Sequence, residues 1–332
     1  MQNIIKMLRR QLSAGKDVVL VTITAASGAT PRGAGARMLV GADGRLCGTI
    51  GGGAVEYRAI QLAQTVLEER SSTQKDFSLT RDDVQNLGMI CGGAVEVFFH
   101  YLPAGDTNTI QLAQDAERRF SVREDLWLLS DISGGGTLTL FGRSDSPSWL
   151  LPYLSRRPRR FVHDGRDLFL EQISFSERVY IFGGGHVAQK LVPVLSSVGF
   201  RCVVMDDRPE FTDPSLFPAA EQILNVDFTR LSDFISLTNA DYACVMTRGH
   251  AYDTLVQAQI LRFSPCYIGV IGSASKAAGV RKALIEDHGF KDEDVDRITT
   301  PIGLKIGAET PEEIAVSIAA QLIAVRAEQS QI

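Results

Sequence analysis

The residues best suited to bind an anion follow a predicted strand in the second half of the chain. Val179–Ala188 indicates a buried strand that runs into the pattern G-x-G-x-x-A, formed by Gly183, Gly185 and Ala188. Small residues there let backbone N–H groups approach a pyrophosphate at the start of the next helix. Asp206 follows about 20 residues later, where a carboxylate is expected to bind a ribose hydroxyl. The spacing predicts a dinucleotide fold, although doubly wound folds that bind no dinucleotide also use such glycines for helix packing.

Further polar residues follow the predicted strands of this half. Because the carboxyl ends of parallel strands open onto one crevice, we expect these residues to lie at the same edge. They are His186, Arg248, His250, Ser273 and Lys276. Cationic and hydroxyl side chains beside bare glycine backbone suit a phosphorylated ligand. A histidine at a helix start is also a common hydrogen-bonding residue, so we assign no catalytic residue.

The first half of the chain holds a second group of residues suited to anions. Arg32 and Arg37 flank a glycine-rich loop, and Gly51, Gly52 and Gly53 precede a predicted helix. Guanidinium groups, backbone N–H groups and a helix N-terminus all favour a phosphate. A second interpretation fits equally well, in which the glycines only permit tight turns and the arginines only contact solvent.

Cys91 differs from the other cysteines in its surroundings. It precedes Gly92 in a loop-like segment, whereas Cys202, Cys244 and Cys266 lie on or beside predicted buried strands. An accessible thiolate would coordinate a soft metal centre or carry sulfur, which makes Cys91 the candidate metal ligand. A buried and inert Cys91 is the alternative, and the sequence does not separate the two.

Composition and charge exclude several classes of protein. The 332 residues are 45% hydrophobic and 22% charged, as in ordinary globular proteins, and the length favours two domains. The net charge of -5 gives no positive field for a phosphate backbone, so no nucleic acid partner is expected. The five dispersed cysteines form no C-x-x-C pair, and no apolar stretch approaches the roughly 20 residues of a membrane span. We therefore expect a cytoplasmic protein that contacts no membrane.

The predicted elements divide the chain into two α/β domains. The first, residues 1–174, begins with a helix, a strand at Val18–Ile23 and a hairpin formed by Arg37–Val40 and Arg45–Ile50. It mixes strands and helices without regular alternation and ends in a linker hairpin. The second, residues 175–332, alternates short apolar strands with connecting segments. This alternation predicts a Rossmann-type doubly wound parallel sheet that is covered on both faces.

The motifs, taken in order, resemble those of a known family, the xanthine dehydrogenase accessory proteins of the XdhC/CoxI type. In the first half the matching segments are Ser27–Met38, Gly48–Glu56 and Cys91–Gly93. In the second half they are Ile181–Ala188, Val204–Glu210, Met246–Asp253, Tyr267–Ser273 and Pro301–Ile314. Because the matches extend across nearly the whole chain, the resemblance is far more specific than the dinucleotide pattern alone.

The resemblance implies an accessory protein, or chaperone, that is not itself catalytic. Such a protein binds the molybdenum cofactor, as molybdopterin or its cytosine dinucleotide, and keeps it available for sulfuration by a cysteine desulfurase. It then inserts the cofactor into the apoenzyme of a molybdenum hydroxylase. The resemblance also implies a homodimer. One departure is Ala54, where many relatives have cysteine, and this leaves Cys91 as the candidate contact for molybdenum or sulfur.

Two other functions are compatible with the residues. An NAD(P)-dependent oxidoreductase would use Asp206 on the ribose and His250 or Lys276 at the substrate, but the spacing gives no coherent hydride-transfer arrangement. A scaffold with an empty Rossmann fold is the third interpretation. The expected ligand is thus the molybdenum cofactor, or NAD(P) in the oxidoreductase alternative.

Overall fold

The computed structural model of this protein describes residues 1–78, 93–122, 124–134, 136–248 and 250–329. The chain forms two compact units, Met1–Ser176 and Glu177–Ile332. Each unit combines helices with sheets, which confirms the predicted α/β class. None of the helices in these ranges has both the length and the hydrophobicity that a bilayer crossing requires.

The first unit contains a five-stranded antiparallel sheet in the order β3-β2-β1-β5-β4. Its strands are β1 Val18–Ser27, β2 Arg37–Gly41, β3 Gly44–Thr49, β4 Thr73–Ser78 and β5 Ala94–Leu102. Helix α1, Gln2–Ser13, covers one face, and helix α2, Gly53–Glu69, covers the other. Strand β1 is buried from Val18 to Thr24 because helices α1 and α2 cover both of its faces.

A second antiparallel sheet in this unit has four strands in the order β7-β6-β9-β8. Its strands are β6 Leu126–Asp131, β7 Leu138–Gly142, β8 Arg159–His163 and β9 Arg166–Ser174. Helix α3, Thr107–Ser121, precedes this sheet along the chain and packs against α1. The β8–β9 hairpin pairs His163 with Arg166, so the hairpin expected near the end of the first half is present.

The second unit contains a six-stranded sheet in the order β12-β11-β10-β13-β14-β15, in which all neighbouring strands are parallel. The strands are β10 Val179–Phe182, β11 Cys202–Asp206, β12 Gln222–Asn225, β13 Tyr242–Val245, β14 Tyr267–Val270 and β15 Ile298–Thr299. The helices are α4 His186–Ser197, α5 His250–Phe263, α6 Ala274–Glu286, α7 Asp292–Val295 and α8 Pro311–Gln329. The strand order reverses between β10 and β13, as in a Rossmann fold, and this confirms the predicted fold.

The alternation of side chains along β10 explains why this sheet is covered on both faces. Val179 and Ile181 pack into the core that includes α4 and α8, whereas Tyr180 and Phe182 pack into the core that includes α5 and α6. All four are buried. A strand that is apolar on both faces requires crossover helices on both sides of the sheet.

Three strands of the structure are missing from the sequence prediction, and all three lie at sheet edges. They are β4, β7 and β15. Strand β15 has only two residues, and β4 has the polar sequence Thr-Gln-Lys-Asp-Phe-Ser. An edge strand is paired on one side only and is often short or polar, so its hydrophobic pattern is weak.

Candidate functional site

The glycine-rich segments of the first unit contact one another. A Cβ atom on Gly51 would lie 2.8 Å from Cβ of Pro31, and one on Gly93 would lie 2.5 Å from the carbonyl oxygen of Ala29. Only glycine allows such close approach, so the β1–β2 loop contacts both the start of α2 and the start of β5. We call this surface the N-terminal glycine surface and define it as Ala29–Arg32, Gly51–Gly53 and Gly93.

The side chain of Glu56 accepts backbone N–H groups at the start of helix α2. Its Oε2 atom accepts hydrogen bonds from the N–H groups of Ile50 at 3.0 Å and Gly52 at 3.1 Å, and from the hydroxyl of Thr49. Its Oε1 atom lies 2.6 Å from Nη1 of Arg45. Burial alone would raise the pKa of Glu56, but these bonds bring it below its ordinary value. The protein thus places its own carboxylate where a ligand anion was expected.

The sequence contains a signal for this role of Glu56. An acidic residue in the first turn of a helix interacts favourably with the helix dipole, and here it follows three consecutive glycines. Sequence reasoning attended to the glycines and missed the carboxylate.

The two arginines predicted to bind an anion differ in exposure. Arg32 is exposed, and its Cγ atom would lie 3.4 Å from a Cβ atom on Gly51. Arg37 is buried, and its guanidinium forms an ion pair with Glu171 of strand β9. Burial lowers the pKa of Arg37 to about 9, so the group stays charged at neutral pH and pairs with Glu171. Only Arg32 of the two therefore reaches solvent beside the glycines in this structure.

Cys91 and Gly92 lie outside the described residues, and their predicted roles stay predictions. The structure does describe Cys202 and Cys244, which are buried in the second unit. Burial raises the pKa of Cys202 to about 12 and raises that of Cys244 as well, which agrees with their interpretation as core residues. In the part of the chain that the structure describes, no three potential metal ligands of the His, Cys, Asp or Glu type lie together.

The predicted dinucleotide turn of the second unit starts directly after β10. A Cβ atom on Gly183, which has φ of 119°, would lie 2.3 Å from the carbonyl oxygen of Met246. A Cβ atom on Gly184 would lie 2.3 Å from the carbonyl oxygen of Phe211. Gly185 caps α4, and a Cβ atom there would meet no described atom within 4 Å. The first two glycines are therefore needed for packing, whereas Gly185 leaves the helix start open to a ligand.

Asp206, predicted to bind a ribose hydroxyl, is 1% exposed and is bonded within the protein. Its Oδ2 atom accepts hydrogen bonds from the N–H of Gly184 at 2.8 Å and from Nη2 of Arg208 at 3.0 Å. Its Oδ1 atom accepts two more from Arg208, from Nε at 2.9 Å and from the backbone N–H at 3.1 Å. Burial alone would raise the pKa of Asp206, but these bonds hold it below its ordinary value. Arg208 would have to move before a ribose could take its place.

Another polar group lies at the carboxyl ends of β13 and β14. Asp253, in the first turn of α5, is completely buried and accepts a hydrogen bond from the hydroxyl of Thr247. It also forms an ion pair with Lys276 in the first turn of α6. The hydroxyl of Ser273 caps α6 by accepting the N–H of Lys276 at 3.3 Å. Sequence reasoning named Ser273 and Lys276 but missed Asp253, although Asp253 ends one of the quoted motifs.

The remaining predicted residues of this unit also follow the strands of the sheet. His186 begins α4 and is exposed, Arg248 follows β13 and is exposed, and His250 begins α5. The structure places all three at the carboxyl ends of the strands, where the sequence pattern predicts them.

Comparison with known proteins gives matches in both units. Residues 11–78 match the family model described as the XdhC and CoxI family, and residues 179–322 match the model described as the XdhC Rossmann domain. A protein of Bacillus subtilis (strain 168), named a probable xanthine dehydrogenase subunit, is 26% identical over 347 residues, with 98% of each chain covered. The molybdenum cofactor insertion chaperone PaoD of Escherichia coli (strain K12) is 24% identical over 336 residues, which cover 99% of this chain and 90% of PaoD.

A solved structure shows the same similarity in three dimensions. The crystal structure of a xanthine dehydrogenase from Bacillus halodurans superimposes with a TM-score of 0.76 at 26% identity. The superposition covers 98% of this chain and 96% of that chain.

Proposed function

The chain belongs to the XdhC and CoxI family, and from this membership we propose that it is an accessory protein that binds the molybdenum cofactor and inserts it into a molybdenum hydroxylase. The name of PaoD describes a cofactor insertion chaperone, and that of the Bacillus subtilis relative refers to xanthine dehydrogenase. Both names support an accessory role beside an enzyme of the xanthine dehydrogenase type.

The structural observation that carries this proposal is the N-terminal glycine surface. The backbone is accessible at Gly52 and at Gly33, which directly follows the surface residue Arg32, because a Cβ atom on either would meet no described atom within 4 Å. Arg32 is exposed beside these glycines, and the N-terminus of α2 adds a positive dipole end. A guanidinium group and backbone N–H groups are the donors that a phosphate prefers. The surface therefore fits the phosphate of a molybdopterin or of its cytosine dinucleotide.

Arg32, the glycines, Glu56 and Cys91 have distinct roles in this proposal. Arg32 binds the phosphate, and the glycines let it approach the main chain. Glu56 keeps the start of α2 ordered and competes with the ligand for the same N–H groups. The bound cofactor supplies the molybdenum centre, and Cys91 is the proposed contact for molybdenum or for sulfur. We further propose a homodimer that receives sulfur from a cysteine desulfurase.

The NAD(P)-dependent alternative has less support from the second unit. Its central residue, Asp206, is buried and makes four hydrogen bonds within the protein. A ribose hydroxyl would have to displace Arg208 to reach this carboxylate. We therefore do not assign nicotinamide chemistry to this chain.

A retention assay tests the proposed function. The purified chain is mixed with molybdenum cofactor and desalted, and the retained molybdenum and pterin are measured by mass spectrometry and fluorescence. We expect near-stoichiometric retention by the natural chain and loss of molybdenum from Cys91→Ala, with an unchanged unfolding midpoint. Cys47→Ala, which changes a partly buried thiol of the same unit, serves as the control. Equal retention and equal activation of an apo-hydroxylase by Cys91→Ala would remove Cys91 from the proposal.

The phosphate contact is tested separately with Arg32→Gln. Losing a charge-assisted hydrogen bond is expected to weaken pterin binding by roughly 10- to 150-fold, since such bonds contribute roughly 1.5 to 3 kcal/mol. Arg118→Gln is the matched control, because Arg118 is 70% exposed on α3, away from the glycine surface. If the natural chain retains no pterin, the proposed function itself is wrong.

A further inference from the structure

A cavity of about 160 Å³ lies in the second unit, between α5, α6 and the carboxyl end of β14. Most of its wall is aliphatic, formed by Val270, Ile271, Val280, Leu284, Val295 and Ile298. An apolar cavity of roughly 150 Å³ takes up one benzene ring. The cavity therefore has the size and the lining for a single planar ring.

A buried polar group of this cavity lacks a partner. Gln257, one turn after Asp253 on α5, is 3% exposed and lines the cavity. Its Nε2 atom has no hydrogen-bond partner among the described residues. Buried amide groups nearly always have a partner, since an unpaired one keeps the full cost of losing water. A ligand that carries a carbonyl oxygen would supply the missing acceptor.

The charges beside Gln257 are already balanced. Asp253 and Lys276 both line the cavity and form an ion pair with each other, and the third charged residue of the lining, Arg281, pairs with two aspartates. Asp253 is fully buried, and the Lys276 side chain is 22% exposed. Bringing a further charge into such a place would be unfavourable, whereas a neutral polar ring would not disturb the pair. The cavity therefore favours a neutral ring over a phosphate or a carboxylate.

We propose that this cavity binds a single planar heterocyclic ring with a carbonyl group, as found in a pyrimidine base, and that the carbonyl accepts a hydrogen bond from Nε2 of Gln257. The site differs from the one expected at the glycine turn, because it lies beside β14 and does not use Asp206. It uses residues of the second unit only and does not rest on the proposed function of the N-terminal glycine surface.

Calorimetric titration with a panel of ring compounds tests this site. Uracil and cytosine are neutral single rings with a carbonyl group, whereas 2-aminopyrimidine is a neutral ring of the same size without one. We expect saturable binding of uracil or cytosine at least tenfold tighter than that of 2-aminopyrimidine. If neither base binds at millimolar concentration, or if 2-aminopyrimidine binds as tightly, the proposal is wrong.

Variants of residues that line the cavity test whether the ring binds there. Gln257→Leu should weaken the binding of uracil and cytosine at least tenfold and remove their preference over 2-aminopyrimidine. Its unfolding midpoint should be as high as that of the natural chain, because an unpaired amide is removed. Ala277→Leu should abolish binding of every ring by filling the cavity. Lys282→Leu, which changes an exposed residue of α6 outside the cavity, is the control and should bind normally. Normal binding by Gln257→Leu together with a lowered midpoint would overturn the proposal, since Gln257 would then have a structural role only.

Discussion

Two glycine turns precede helices in this molecule, and both are closed by a carboxylate of the protein. In the N-terminal glycine turn, Gly51–Gly53, the carboxylate is Glu56, which accepts N–H groups at the start of α2. In the C-terminal glycine turn, Gly183–Gly185, it is Asp206, which accepts the N–H of Gly184. Each carboxylate also pairs with an arginine. In both units, therefore, a carboxylate of the protein already takes up part of the N–H groups of the glycine turn.

The two turns differ in how firmly the carboxylate is held. Glu56 projects from the helix that it caps, and its partner Arg45 is 46% exposed. Asp206 ends strand β11 in the sheet, and its partner Arg208 is 22% exposed. A ligand phosphate could displace a helix side chain with flexible torsions more easily than a carboxylate fixed to a central strand. We infer that the N-terminal turn is the one that can exchange its own carboxylate for a ligand.

Among the variants that test this comparison, Asp206→Ala should lower the free energy of unfolding most. It leaves the half-buried guanidinium of Arg208 and the buried N–H of Gly184 without their acceptor. A donor left unpaired in this way costs roughly 1 to 3 kcal/mol, and here two groups lose their partner. Urea unfolding of the natural chain and the variant measures the loss. Asp207→Ala is the control, since Asp207 lies 3.8 Å from Nε of Arg208 and is 30% exposed. A loss below about 1 kcal/mol would mean that Arg208 holds Asp206 only weakly. Asp206 would then again be a candidate to bind a ribose hydroxyl.

Gly184→Ala should cause the second largest loss in the free energy of unfolding. Its Cβ atom would lie 2.3 Å from the carbonyl oxygen of Phe211, which belongs to the backbone and cannot rotate away. Forcing an extra methyl group into a packed place costs roughly 1 to 3 kcal/mol. The free energy of unfolding in urea again gives the measurement. An unchanged value would show that the loop after β11 does not pack on the turn, and the contrast between the two turns would disappear.

The fold of the second unit was predictable because its strands are apolar on both faces. Strand β10 and its neighbours appear as short hydrophobic runs, and a run of this kind has few alternatives to a buried parallel strand. Edge strands such as β15 carry no comparable pattern.

The site was less predictable because spacing gives the positions of residues but not their partners. Arg32 and Arg37 look alike in the sequence, yet one is exposed and the other pairs with Glu171, a residue 134 positions away from Arg37 (171 minus 37). Asp206 has the spacing of a ribose ligand, but the nearby Arg208 occupies it. Only the folded chain shows which charged groups have found partners inside it.

Glu56→Gln should cost about 1 kcal/mol at neutral pH, less than Asp206→Ala, because its site is closer to solvent. The pKa of Glu56 is lower in the folded chain than in the unfolded chain. Its ionised form therefore stabilises the fold above the unfolded pKa, and this contribution is lost as the pH falls through the folded pKa. Urea unfolding across the acid range should show the variant and the natural chain converging at low pH.

The same variant should tighten pterin binding at the N-terminal glycine surface, because it removes the competing negative charge. The retention assay with Glu56→Gln measures this. A difference in stability that stays constant down to acid pH, or a weaker retention of pterin, would contradict the competition between Glu56 and the ligand.

Gly185→Ala should have the smallest effect on stability and the clearest effect on binding. Gly185 has φ of -67°, which alanine adopts without strain, and its Cβ atom would point into open space. Losing a glycine at a helix N-cap costs only about 0.5 kcal/mol. A phosphate at the start of α4 would meet the new methyl group, so nucleotide affinity should fall while the unfolding midpoint hardly changes. If every nucleotide binds Gly185→Ala as it binds the natural chain, the C-terminal turn serves packing alone, and anion binding belongs to the N-terminal turn, where the closing carboxylate can move.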